Sequence, residues 1–323
     1  MRRALVAVTL VALAACSGPW RQREADRLGL QRNPFSNVRP MIEGGRAIEA
    51  RQALAELPST LRATPAWAYL MGRVHLLEGD LPAAIDMLGK ARNLAPGNPV
   101  VENDLAVALV KAGKADQAVA LLDRLAAAHP EDRDLALNRA VARLAGGWTE
   151  EAQDTLARMA RERPDWFGAR FNLGLAALTN HDYATAVFEL KAAGHLKTGD
   201  KGVLLGLTAA CALNQDRTCA EDTNREAVAR YPGDPKVLLN WGAWLEEQGQ
   251  LPAAMDQYRQ AVRVAPECAN CWYDIGRLAD RTGDIATALD AYRRHVAVAP
   301  PGMSVSAVQE RVKALEAAQA PVQ

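Results

Sequence analysis

An excess of charge of one sign is missing from this sequence: 38 Lys and Arg balance 38 Asp and Glu. It has no basic stripe to meet nucleic acid and no acidic block to act as a cation sink. Aromatic residues make up only 5%. The abundant alanine beside them suits helices that approach one another closely. The five histidines, His75, His129, His181, His195 and His295, are scattered and form no paired zinc signature. There is no phosphate-cradling glycine loop and no nucleophile elbow. These absences make an enzyme the most distant alternative, with no metal, cofactor or small-molecule substrate expected. The apolar run near the start, Ala4 to Ala12, is shorter than the roughly 20 residues a spanning helix needs.

What is present is a ruler made of proline. Pro96, Pro130 and Pro164 stand 34 residues apart, and after a gap at Thr198 the series resumes in phase at Pro232, Pro266 and Pro300. A fixed period of this size marks a repeat architecture. Cut at that period, residues 65–302 give seven frames starting at Pro65, Pro99, Arg133, Phe167, Lys201, Pro235 and Ala269. Frame position 20 is always alanine: Ala84, Ala118, Ala152, Ala186, Ala220, Ala254 and Ala288. Position 8 is small: Gly72, Ala106, Ala140, Gly174, Thr208, Gly242 and Gly276. Position 15 is glycine in five frames (Gly79, Gly113, Gly147, Gly249 and Gly283), and position 24 is large and apolar except at Asn224.

This pattern predicts a helical hairpin in each frame. Small residues at 8 and 20 let two antiparallel helices approach, and large residues fill the space beside them. Glycine at 15 suits the left-handed turn that ends the first helix, and proline at 32 stops the second. One hairpin cannot bury its apolar face alone, so hairpins stack.

The frames resemble the tetratricopeptide repeat family. LLNWGAWLEEQGQLPAAMDQYRQAVRVAP and CWYDIGRLADRTGDIATALDAYRRHVAVAP, in frames 6 and 7, carry the resemblance most fully. Frame 3 departs with Arg139 and Arg143 at normally apolar positions, and frame 5 with Thr208, Gln215 and Asn224. The resemblance implies an all-α, right-handed superhelical solenoid of about seven hairpins with capping helices. It also implies a non-catalytic scaffold that takes a protein partner, as a helix or an extended segment, along the concave face of the first helices. The residues placed there by the family pattern include Tyr69, Leu76, Val107, Leu137, Val141, Phe171, Leu175, Leu205 and Leu239. Frames 6 and 7 change character, with Glu246, Glu247, Tyr273, Arg277, Asp280 and Arg281. The groove is therefore expected to be apolar first and charged towards the C-terminus. The alternative is that the solenoid, or the segment 17–40, buries the apolar stripe.

Residues 1–15 read as a lipoprotein signal peptide. Arg2 and Arg3 precede the apolar stretch, and Leu13-Ala14-Ala15-Cys16 looks like a bacterial lipobox. That resemblance implies lipidation of Cys16 and, with Ser17 following, an outer-membrane location facing the periplasm. Residues 16–40 hold Gly, Pro, Ser, Asn and five Arg, and read as a lipidated tether. Residues 41–64 read as an N-terminal capping helix or partial repeat, since Ala50 lies 34 residues before Ala84. Residues 303–323 read as a capping helix and tail, with Val305, Val308, Val312 and Leu315 on one face.

Four cysteines remain beyond Cys16. Cys211 and Cys219 fall at positions 11 and 19 of frame 5, facing each other across the hairpin, and Cys268-x-x-Cys271 sits at the junction of frames 6 and 7. A single zinc site would have to join residues about 20 Å apart. In an exported chain disulfides are the better reading, and buried thiols are the alternative. Taken together, the chain resembles the tetratricopeptide lipoproteins that serve pilus or secretion machinery, pilotins among them, and that resemblance implies a membrane-anchored scaffold that assists assembly of a pilus, secretion or other envelope complex. Scaffolding of peptidoglycan hydrolases or synthases is the alternative.

Overall fold

The computed structural model describes residues 20–31, 34–300 and 303–319. Among them are nineteen helices and no strand. Four precede the repeats: α1 (Trp20–Leu28), α2 (Phe35–Glu43), α3 (Ala47–Ala55) and the short α4 (Ser59–Arg62). The frames follow as pairs: α5 (Pro65–Glu78) with α6 (Leu81–Leu94), α7 (Pro99–Lys111) with α8 (Ala115–Ala128), and α9 (Arg133–Ala145) with α10 (Thr149–Glu162). Next come α11 (Phe167–Thr179), α12 (Tyr183–Leu196), α13 (Lys201–Leu213) with α14 (Arg217–Arg230), α15 (Pro235–Glu247) with α16 (Leu251–Val264), and α17 (Ala269–Thr282) with α18 (Ile285–Val298). The last helix is α19 (Ser306–Gln319). Every first helix begins where its frame begins. The chain forms two compact units, one ending at Asp182 and the other beginning at Tyr183.

The small-against-large logic holds at the atomic level. All seven position-20 alanines are fully buried. A Cβ built on Gly72 would lie 2.7 Å from Leu88 Cγ, and one on Gly242 or Gly276 would lie 2.5 Å from the ring of Tyr258 or Tyr292. Glycine is required at these positions because the partner side chain rests on bare backbone. Frame 5 resolves the same contact differently: the larger Thr208 faces the smaller Asn224, which is buried and donates to Ala220 O at 2.9 Å. In frame 3, Arg143 donates to Glu151 at 2.5 Å and to Asp123 at 3.3 Å, so acidic partners accommodate the arginine at a normally apolar position.

Position 15 is left-handed in every frame. Five frames supply glycine with φ between 72° and 89°, and the other two hold His181 at φ 61° and Gln215 at φ 60°. An L-residue in this conformation costs about 1–2 kcal/mol, part of which glycine returns through its freer unfolded state. Gln215→Gly should therefore stabilise the fold by about 0.5–1 kcal/mol. A raised urea midpoint would show it; an unchanged or lower midpoint would contradict it.

The stretch expected as a tether is helical from Trp20. Leu28, Leu30, Phe35, Val38 and Ile42 are buried in one cluster with Tyr69, Val100 and Leu105. Asn98 Nδ2 donates to the main-chain oxygen of Glu24 at 3.2 Å, tying α1 to the start of α7. Arg27 and Arg39 pair with Glu24 and Glu43. The spacing Phe35, Val38, Ile42 is a helical stripe that the polar composition of the segment obscures. Cys16 and the signal segment lie outside the described residues. At the other end α19 covers frame 7, burying Val308 and Leu315 against Leu289 and Tyr292. Cys211 is bridged to Cys219, and Cys268 to Cys271, with Cα separations of 5.7 and 5.3 Å.

Candidate functional site

The residues expected to line an apolar groove are on the first helices, but most do not reach solvent. In the unit ending at Asp182, Tyr69, Leu137, Val141, Phe171 and Leu175 are buried, and Leu76 and Val107 are half-buried. In the other unit Leu205 and Leu239 are buried as well. The expectation of an open apolar face is corrected accordingly. First helices of consecutive frames touch one another, as α5 does α7, α7 does α9, α9 does α11 and α13 does α15, and α1 lies on α7. An apolar stripe on such closely spaced helices is consumed by their own packing.

Polar side chains run through the same helices. Tyr69 donates its hydroxyl to Asp104 Oδ2 at 2.7 Å, Asn103 donates to Asp104 Oδ1 at 3.3 Å, and the buried Asn138 donates to Asn103 at 2.9 Å. The signal for this chain was visible: frame position 6 is Asp104, Asn138, Asn172, Asn240 and Asp274 in five frames. Buried polar groups need partners, and here frames 1, 2 and 3 supply them to one another.

The charged face is in frames 6 and 7. Glu246 is almost wholly buried, with its side chain 6% exposed, and it gathers three donors. Arg277 binds it in a fork at 2.6 and 2.8 Å, Arg281 reaches it at 2.7 Å, and the Tyr258 hydroxyl donates at 3.0 Å. Burial alone would raise the Glu246 carboxyl; the Arg277 hydrogen bonds, the Arg277 charge and the Tyr258 hydroxyl reverse this and hold it below the usual range. Burial likewise pushes the Tyr258 hydroxyl far up. Asp280 takes two hydrogen bonds from Arg311 of α19 at 2.7 Å, which hold its carboxyl low. The Tyr292 hydroxyl, buried beside Asp280, is raised to about 12. Tyr273 is 39% exposed and packs its ring against Tyr292 and His295 at centroid distances of 6.2 and 5.6 Å.

Asp274 behaves in the opposite sense. Burial raises its carboxyl, with Arg277 at 3.1 Å only partly compensating and the Glu246 charge adding to the rise. A carboxylate with a raised folded pKa favours folding most below its unfolded pKa, and that contribution is lost as pH rises through the folded pKa. Asp274→Asn should therefore melt at or above the wild-type temperature at pH 7, with the advantage vanishing as pH falls through the raised pKa. Thermal melts at pH 7 and pH 4 check this; a lower melting temperature at pH 7 would contradict it.

Among the described residues, no group of three or more His, Cys, Asp or Glu is placed to hold a metal ion, and no helix is long and apolar enough to cross a membrane. Residues 75–144 and 243–303 each match a family model described as tetratricopeptide repeat. Those two stretches are similar to tetratricopeptide repeats. Solved structures agree with that fold. The APC/C hetero-tetramer Cut9–Hcn1 aligns at a TM-score of 0.57 and 14% identity, over 92% of this chain and 66% of that one, just under two thirds of its length. A tetratricopeptide repeat protein from Parabacteroides merdae aligns at 0.58 and 16% identity, over 78% of this chain and 98% of its own. The tetratricopeptide protein TTC0263 of Thermus thermophilus aligns at 0.50 and 21% identity, over 56% of this chain and 97% of its own. At these identities the likeness is one of fold. No curated protein matches the chain. Tetratricopeptide repeats generally mediate protein–protein interactions.

Proposed function

We propose that the protein is a scaffold that binds a protein partner through the first helices of its last two tetratricopeptide repeats. The observation that carries this reading is the exposed Tyr273 and, about two turns further along the same helix α17, the half-exposed Arg281. Tyrosine and arginine are the residue types that dominate interface energetics. The partner is a helix or extended segment with a carboxylate for Arg281 and an apolar side chain for Tyr273. The lipobox-like Leu13-Ala14-Ala15-Cys16 supports anchoring to the outer membrane, facing the periplasm. The two cysteine pairs suit an oxidising compartment. In that setting the scaffold assists assembly of a pilus, secretion or other envelope complex.

Crosslinked capture from membranes tests the surface. A Tyr273→Ala, Arg281→Ala double variant should lose the wild-type crosslinked partner while melting close to wild type. Undiminished capture would reject this face as the binding site. The anchor is tested separately: Cys16→Ser should abolish labelling by a fatty-acid analogue, and undiminished label would reject it.

A further inference from the structure

The residue just before each first helix occupies a recurrent slot. Asn98, Asp132, Asp200 and Asp234 stand there in frames 2, 3, 5 and 6, and each accepts a hydrogen bond from a first-turn N–H, at 2.9 to 3.3 Å. A helix N-terminus presents unpaired N–H groups and a partial positive charge, so the slot favours an anion. Burial works against the carboxylates of Asp200 and Asp234, yet hydrogen bonds from Lys197 and Lys201 and from the first-turn N–H groups hold both below the usual range. In frame 7 the slot is filled by Cys268, whose Sγ accepts the N–H of Cys271 at 3.2 Å. The first turn of α17 has no acidic residue.

The two cysteines differ in access. Cys271 is fully buried, and Cys268 is half-buried between the exposed Glu267 and the buried Ala269. The second bridge in the same unit provides an internal contrast. Cys211 is fully buried within α13. Cys219 is the third residue of α14, and the cap of that helix is already a carboxylate: Asp216 Oδ1 accepts the Cys219 N–H at 3.1 Å. A thiolate at Cys219 would have to share the helix end with that charge.

We propose that the Cys268–Cys271 pair is a redox-active site that accepts two electrons from a thiol-bearing peptide or protein, with Cys268 as the sulfur attacked. The client thiolate attacks Cys268 Sγ. A bond forms between the client sulfur and Cys268, the Cys268–Cys271 bond breaks, and Cys271 leaves as a thiolate that takes a proton. A second client thiolate then attacks the client sulfur of the mixed disulfide, and Cys268 leaves as a thiolate held at the start of α17. The client is oxidised from dithiol to disulfide, and the cysteine pair is reduced. Stabilising the reduced form in this way makes a disulfide more oxidising and the thiolate at the helix cap a better leaving group. Cys211–Cys219, without a free helix end, is the structural bridge.

The test uses the oxidised full chain in graded glutathione redox buffers, with acid quenching, alkylation and peptide mapping. Cys268–Cys271 should be half-reduced at a ratio of reduced to oxidised glutathione at least about tenfold less reducing than Cys211–Cys219 requires. Glutathione adducts should be trapped on Cys268. Simultaneous opening of the two bridges, or earlier opening of Cys211–Cys219, would overturn the proposal. A second arm uses Cys271→Ser, checked for helicity, and follows alkylation of Cys268 against pH. The rate midpoint should fall below the value of about 8.5 for an ordinary cysteine. A midpoint at or above that value overturns the proposal, and the wild-type titration decides the matter if the variant does not fold.

Discussion

Phe171→Asp should unfold the unit that ends at Asp182. Phe171 is 2% exposed and stacks on Phe167 with centroids 5.6 Å apart and planes within 7°. Truncating a buried Phe costs about 3–5 kcal/mol through lost burial and the cavity left behind. An unpaired carboxylate in its place adds a desolvation cost of several kcal/mol more. A domain is stable by only about 5–15 kcal/mol in total. Circular dichroism should show loss of helicity or a melting transition displaced far downward, whereas Phe171→Leu, which keeps most of the apolar volume, should lose far less. A wild-type melting curve for Phe171→Asp would mean that the side chain is open to solvent, and would restore the apolar groove as the binding surface. The experiment thus separates a buried stripe from an open one at its largest side chain.

The second large effect is expected at Glu246→Ala. This carboxylate satisfies the buried Tyr258 hydroxyl and both ends of the Arg277 fork, and it also pairs with Arg281. Its removal leaves a phenol without its acceptor and a guanidinium with only Asp274 in reach. Breaking one partner out of a buried pair costs about 3–5 kcal/mol, which corresponds to a fall of roughly 10 °C in melting temperature for a unit of this size. Glu246→Gln keeps the volume and one acceptor oxygen and should fall between the two. The pH dependence follows from the lowered pKa. The contribution of the carboxylate is fully present above its ordinary value of 4.5 and is lost as pH falls through the lower folded value. Wild type and Glu246→Ala should therefore differ at neutral pH and converge only well below pH 4.5. Equal melting temperatures at pH 7 would show that Arg277 and Tyr258 find other partners.

The repeat register is fully legible in the sequence, because helical hairpins impose strict local chemistry. The frame starts, the buried alanines at position 20 and the left-handed residue at position 15 all depend on contacts inside one 34-residue unit, which sequence periodicity reports directly. His181 and Gln215 show how strong the register is: the fold keeps the left-handed turn even where the sequence offers no glycine. The N-terminal arm was less legible. Few apolar side chains among many charged ones read as tether, although Phe35, Val38 and Ile42 carried a helical spacing, and only the surface waiting on α5 and α7 gives that spacing something to pack on.

The candidate site divides in the same way. Which residues stand on the first helices, and that the face turns from apolar to charged at frame 6, follows from sequence position alone. Whether those residues meet water does not. Burial of Leu137 or Phe171 depends on how closely neighbouring first helices approach, a property of several frames at once that no single frame encodes. The pairing of Glu246 with Arg277 and Arg281, and of Asp280 with Arg311, likewise joins residues from different helices. The sequence by itself determined the repeat, its register and the chemistry available at each position, because short-range sterics and turn conformation are local. Only the tertiary structure decided which of those side chains are consumed by packing and which remain open, because solvent exposure is set by every neighbour together.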